Sequence, residues 1–167
     1  MHKSKEIDYY LGIDPGKLGA VALIDKYGNC IRLFDLPYLK TLDLNQLNIF
    51  LEDFIGDNVF VIIEEPRVVS AKLMKSDGKG FNIGLGQVRT TFLNYGKLIA
   101  FFELSGFKIK EISPQAWKNK FNLDSDKKKS IELARKLFPD QIHKLMLSKD
   151  GRAEALLIAE YGRKYEI

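Results

Sequence analysis

The chain has 167 residues, 46% of them apolar, enough for a single domain spanning 1–167 with a real core. Lysine and arginine number 26 against 22 acids, a formal charge of +4 that is uneven along the sequence, so its distribution matters more than its sum. Cys30 is the only cysteine, which excludes an internal disulfide and any Cys/His zinc cluster and favours a reducing compartment. The start, Met1 to Glu6, lacks an apolar signal region, and no run approaches the roughly 18 apolar residues of a membrane span. The expectation is a cytoplasmic protein without a membrane partner.

Along the chain, Tyr9 to Ile13 is the first apolar run, followed by Gly19 to Ile24, the turn signal Lys26-Tyr27-Gly28-Asn29, and Cys30 to Phe34. These read as a three-stranded antiparallel meander. Leu42 to Ile55 carries Leu44, Leu47, Phe50, Leu51 and Phe54 at helical spacing, with Gly56 where a helix would stop. Val59 to Ile63 then forms a fourth strand reached by a helical crossover. A Gly- and Lys-containing stretch, Pro66 to Gly86, leads to a long helix over Gln87 to Leu104. Phe107 to Ile112 alternates with period two over most of its length and reads as a half-exposed fifth strand. Ser113-Pro114 opens a helix with a capping hydroxyl and a first-turn proline, and two more helices fit Lys127 to Phe138 and Arg152 to Lys164.

Two of the apolar runs end abruptly in acids: Ile13 runs into Asp14-Pro15-Gly16, and Ile63 runs into Glu64-Glu65-Pro66. A carboxylate at the rim of a core loses hydration, so a metal, a paired cation or a catalytic role explains it, although Asp-Pro-Gly is also an ordinary turn. Strand alternation lets only one of Glu64 and Glu65 face such a site. Near the C-terminus, Asp150 and Glu154 stand four residues apart, on one face of a helix beginning there. Like charges at that spacing disfavour the helix slightly, and a bound cation reconciles them. Asp150 as an N-cap and Glu154 as a solvated surface acid is the competing reading, weakened for Glu154 by its neighbours Ala153, Ala155 and Leu156.

The element order β-β-β-α-β-α-β followed by helices, with acids closing the first and fourth strands, resembles the ribonuclease H-like α/β fold: a five-stranded mixed sheet, three antiparallel strands then two parallel, flanked by helices. Ile13-Asp14-Pro15-Gly16, Ile63-Glu64-Glu65-Pro66, Gly84-Leu85-Gly86-Gln87, Ser113 to Lys118, Lys129-Ser130 and Asp150 to Ala159 are similar, in order, to the RuvC-type Holliday-junction resolvases, particularly their phage-type branch. The resemblance implies that the first and fourth strands are neighbours and that Asp14, Glu64, Asp150 and Glu154 are the catalytic and metal-binding acids. Glu64 fits the family's Glu-x-Pro pattern, with Glu65 the competitor; Glu154 stands where Asp is usual, and Asp150 precedes it by four residues rather than three. The implied activity is a crossover junction endodeoxyribonuclease cutting four-way junctions and other branched DNA as a homodimer. Phosphodiester hydrolysis at such acids uses two divalent ions about 3.5 to 4 Å apart, Mg2+ with Mn2+ as a substitute.

Charge near the acids points the same way. Between Pro66 and Arg89, the bases Arg67, Lys72, Lys75, Lys79 and Arg89 face the single acid Asp77, and Phe81 is an apolar residue for insertion at an opened junction. A solvated basic loop is the plainer reading of the same segment. Lys17 is a further phosphate contact or a surface-turn lysine. The family match implies that Lys118 and Lys129 lie close to the scissile phosphate, whereas Lys127-Lys128-Lys129 by itself simply opens a helix. Trp117 is expected in the core and His143 on the surface. The long helix from Gln87 carries more apolar residues than one core-facing stripe needs, which suits either a dimer interface or burial beneath the final helices. Three readings compete with the resolvase: another ribonuclease H-like nuclease acting on hybrids or flaps, a nucleotide-binding module of the actin type, and a non-catalytic branched-DNA-binding protein.

Overall fold

The computed structural model describes residues 6–16, 18–38, 41–55, 58–67 and 85–166, with 85–87 and 147 described in backbone only. Five strands, β1 (Tyr9–Asp14), β2 (Ala20–Asp25), β3 (Cys30–Asp35), β4 (Val59–Glu64) and β5 (Lys108–Ile112), form one sheet in the order β3-β2-β1-β4-β5. The first three pair antiparallel as a meander, and β1-β4-β5 pair parallel. β1, β2 and β4 have unbroken buried runs, as expected of central strands covered on both faces, whereas β3 and β5 alternate or are half-exposed because they are the edges.

Two cores result, one on each face. On the first, Tyr10, Ala20, Ala22, Ile24, Phe60, Ile62 and Ile112 lie beneath α3 (Pro114–Lys120), α4 (Lys127–Leu137) and α5 (Asp150–Tyr165). On the second, Leu11, Ile13, Val21, Leu23, Val61 and Ile63 lie beneath α1 (Leu44–Leu51) and α2 (Leu85–Leu104). The strict alternation of consecutive residues between the two lists is the period-two geometry of a strand.

α5 is the central helix of the first face, packed on β1, β2 and β4 and buried from Ala153 to Gly162. Its close seat depends on missing side chains: a Cβ at Gly12 of β1 would stand 2.2 Å from the Ala155 carbonyl oxygen and 2.3 Å from the Ala159 nitrogen. Backbone therefore meets backbone along this seam, and the helix cannot slide without a clash.

Some boundaries differ from those read in the sequence. The helix expected over Leu42 to Ile55 is shorter: Asp43 caps α1 by accepting from the Asn45 and Gln46 N–H groups, Leu42 bridges back to Tyr38, and Glu52–Phe54 tightens into a 3-10 turn. Gly56, the expected stop, lies outside the described residues. α5 begins at Asp150 rather than Arg152, and Asp150 is its first helical residue, not its N-cap. Among the described residues no helix is long and apolar enough to cross a membrane.

Candidate active site

β1 and β4 run parallel with Ile13 opposite Ile63, so the next residues, Asp14 and Glu64, leave the sheet side by side at the same end. Both follow residues of the first face by two positions, Gly12 against the α5 backbone and Ile62 in its core, and therefore point to the face covered by α5. Glu65 takes the other direction: it is exposed, and its charge acts on Tyr95, which packs against the second core. Alternation thus separates the two neighbouring glutamates, putting Glu64 in the cleft.

Asp14 is held by its own turn. Its Oδ1 accepts a hydrogen bond from the Gly16 N–H at 3.0 Å, and the Tyr38 hydroxyl donates to the Pro15 carbonyl at 3.2 Å. Burial, joined by the charges of Glu154 and Glu64, pushes the Asp14 carboxyl up to about 7 against the opposing pull of the Gly16 N–H and Lys127. The same packing that brings α5 onto Gly12 seats Gly151 against this turn: a Cβ there would lie 2.3 Å from the Leu18 carbonyl oxygen and 3.0 Å from Asp14 Oδ2.

α5 delivers the other two acids. Asp150 and Glu154 are only 7% and 6% exposed. The helix start has no side-chain cap; instead Asp35, the last residue of β3, accepts from Arg152 at 2.6 and 2.9 Å and from Lys149 at 2.7 Å. This clamp ties the first turn of α5 to the sheet and aims Asp150 inward.

Asp14, Glu64, Asp150 and Glu154 line one cleft of about 450 Å³, together with Arg67, Lys118 and Lys127. Each of the last three acids has a donor. The Trp117 indole N–H donates to Glu64 Oε2 at 2.6 Å, the Lys118 ammonium to Glu154 Oε1 at 2.8 Å, and the Lys127 ammonium to Asp150 Oδ2. Burial also raises the Glu64 carboxyl, opposed by Trp117, Lys118 and Arg67. Four hard carboxylate oxygen donors around one opening, two of them raised by burial and by mutual repulsion, have the chemistry that Mg2+ or Mn2+ requires. Among the described residues, however, no three Asp, Glu, His or Cys side chains converge as a ready-made metal cage. Ammonium and indole groups hold oxygens of Asp150, Glu154 and Glu64.

Of the residues expected to touch DNA, Arg67 and Lys118 line the cleft. Lys129 does not: it is exposed and paired with Asp124. Lys127 reaches the cleft instead. Arg89 is exposed on α2 and is not part of the cleft lining. Lys17, Lys72, Lys75, Lys79 and Phe81 lie outside the described residues. Trp117 is fully buried and His143 is exposed, as their sequence context suggested. The Trp117–Glu64 bond had a signal, since a buried indole N–H needs a partner. The signal for Lys127 was three lysines at a helix N-terminus, the end that repels cations.

No protein-family model matches the chain, and a search of curated proteins finds no match. Solved structures do match. RuvC of T. thermophilus in complex with Holliday junction substrate superimposes with a TM-score of 0.65 at 13% identity, over 94% of this chain and 96% of that one. A second Thermus thermophilus RuvC structure gives 0.63 at 14% identity, over 93% and 95%. The β3-β2-β1-β4-β5 sheet with its flanking helices is therefore the ribonuclease H-like fold of RuvC, preserved over nearly the whole chain at low sequence identity.

Proposed function

We propose that this protein is a metal-dependent, structure-selective endonuclease that hydrolyses DNA strands at four-way junctions. The observation that carries the reading is the convergence of Asp14, Glu64, Asp150 and Glu154 on one cleft, from two strand ends and one helix, within the fold of RuvC. The bound Holliday junction of the RuvC neighbour supplies the substrate class.

In this reading Asp14, Glu64, Asp150 and Glu154 hold Mg2+ or Mn2+, which, when bound, activates water and stabilises the leaving 3′ oxygen. Asp14 sits at the end of a rigid strand, with its turn fixed by Gly16, so its carboxylate is positioned before substrate arrives. Trp117 fixes the Glu64 carboxylate by its N–H, and Lys118 balances Glu154 where water is scarce. Arg67 at the mouth, with Lys17, Lys72, Lys75, Lys79, Arg89 and Lys129, neutralises backbone phosphates, while Phe81 packs against an unstacked base. A homodimer places two such clefts on one branched substrate, and the exposed apolar residues Val88, Phe92 and Leu93 along α2 support a self-association face.

The test is direct. Purified protein with Mg2+ or Mn2+ is expected to nick a synthetic four-way junction near its branch point, and Asp14→Asn to bind the junction without cutting it. Linear duplex, flap and RNA–DNA hybrid controls separate this activity from that of other nucleases built on the same fold. Junction binding by the unmutated protein with no metal-dependent cleavage would sink the nuclease reading.

A further inference from the structure

The two lysines of the cleft are different kinds of partner. Lys118 and Glu154 are both deeply buried, with side chains 11% and 8% exposed, so their ion pair belongs to the packed floor. Lys127 is 58% exposed while its partner Asp150 is 10% exposed. An ammonium on a flexible stem, mostly in water, is weakly held by one carboxylate.

Local helix stability does not explain Lys127 either. It is the first residue of α4, whose opening turn contains Lys127, Lys128 and Lys129 and no acid. Cations there oppose the positive end of the helix dipole. The cap is supplied by Asp126, which accepts from the Lys128 N–H, so the lysine side chains are not needed for it. Lys129 is compensated nearby by Asp124, but Lys127 reaches an acid 23 residues further along the chain. That acid, Asp150, is one of the four that line the cleft.

We propose that Lys127 is an internal counter-cation of Asp150 that competes with a divalent metal ion for that carboxylate, so that loading the cleft displaces Lys127 and frees its ammonium for a substrate phosphate. This inference rests on the nuclease reading above. A divalent ion brings twice the charge to the same hard oxygen. The displaced ammonium is already largely hydrated and loses little on leaving.

The proposal makes metal binding and catalysis respond in opposite directions to one substitution. Mn2+ titrated calorimetrically into the full chain without DNA should bind about twofold to fivefold more tightly to Lys127→Met than to the unmutated protein, the range set by a weak, largely exposed ion pair. Lys127→Arg, which keeps the charge, should bind Mn2+ as the unmutated protein does. At saturating Mn2+, junction cleavage by Lys127→Met should fall despite its tighter metal binding. A purely structural lysine would weaken both. Lys127→Gln, with circular dichroism as a check of folding, replaces the Met variant if that one aggregates. Equal or weaker Mn2+ binding by the charge-removing variants overturns the role of Lys127, while loss of Mn2+ binding in Asp14→Asn keeps the metal site standing. Absence of Mn2+ binding in every protein overturns both readings together.

Discussion

Asp14 shows how one residue can be fixed by its backbone and unsettled by its surroundings. Its carboxylate accepts from Gly16, yet burial and the nearby Glu154 and Glu64 raise it from its ordinary value of 3.8 to about 7. In the unfolded chain the same group releases its proton near its ordinary value, whereas the folded protein retains the proton until about pH 7. The unfolded state therefore binds fewer protons between these limits, and the contribution of Asp14 to stability falls as pH rises from about 4 to about 7. Asn keeps the acceptor oxygen and cannot charge. In chelator, Asp14→Asn should match the unmutated protein near pH 4 and exceed it above pH 7, by an amount on the order of 2 to 4 kcal/mol. Urea unfolding across this range measures it, and a difference independent of pH would contradict the assignment.

At the scale of the element, α5 decides whether a site exists. Asp150 and Glu154 reach Asp14 because the helix lies directly on β1, and it lies there because Gly12 has no side chain to hold it away. A methyl group at Gly12 meets backbone atoms at 2.2 and 2.3 Å, which no side-chain rotation relieves. Gly12→Ala is expected to cost about 3 kcal/mol or more, the upper range of overpacking effects, as read by urea unfolding. Gly96 makes the contrast: it is an exposed position within α2, and an added Cβ meets nothing within 4 Å. Gly96→Ala should stabilise by about 0.5 to 1 kcal/mol, because only the backbone entropy of the helix changes. Matching effects at the two glycines would refute the seam as the cause.

The proposed junction cleavage needs two coordinated cuts, and the four acids of one chain line a single cleft among the described residues. α2 leaves Val88, Phe92 and Leu93 at 38%, 39% and 51% exposure on the side of the sheet away from α5. Sedimentation at micromolar concentration is expected to give twice the chain mass of 19.1 kDa, and Leu93→Asp to shift the mass to that of a single chain without unfolding it. A single-chain mass for the unmutated protein would remove the proposed dimer.

Much of this arrangement is written in local pattern. The apolar runs that stop at Asp14 and Glu64, the meander, and the four-residue spacing of Asp150 and Glu154 survive in the structure because strand and helix periods are short-range properties of the backbone. Alternation even foretold that Glu64 and Glu65 must face opposite ways, though not which of them faces α5. What sequence patterns left open depends on contacts between distant segments: the choice of Glu64, the Trp117 and Lys118 partners of the acids, the Asp35 clamp, and the arrival of Lys127 rather than Lys129 at the cleft. Periodicity assigns a residue to a face, but the partner it meets there is set by how closely two elements pack, here by the missing Cβ atoms of Gly12 and Gly151.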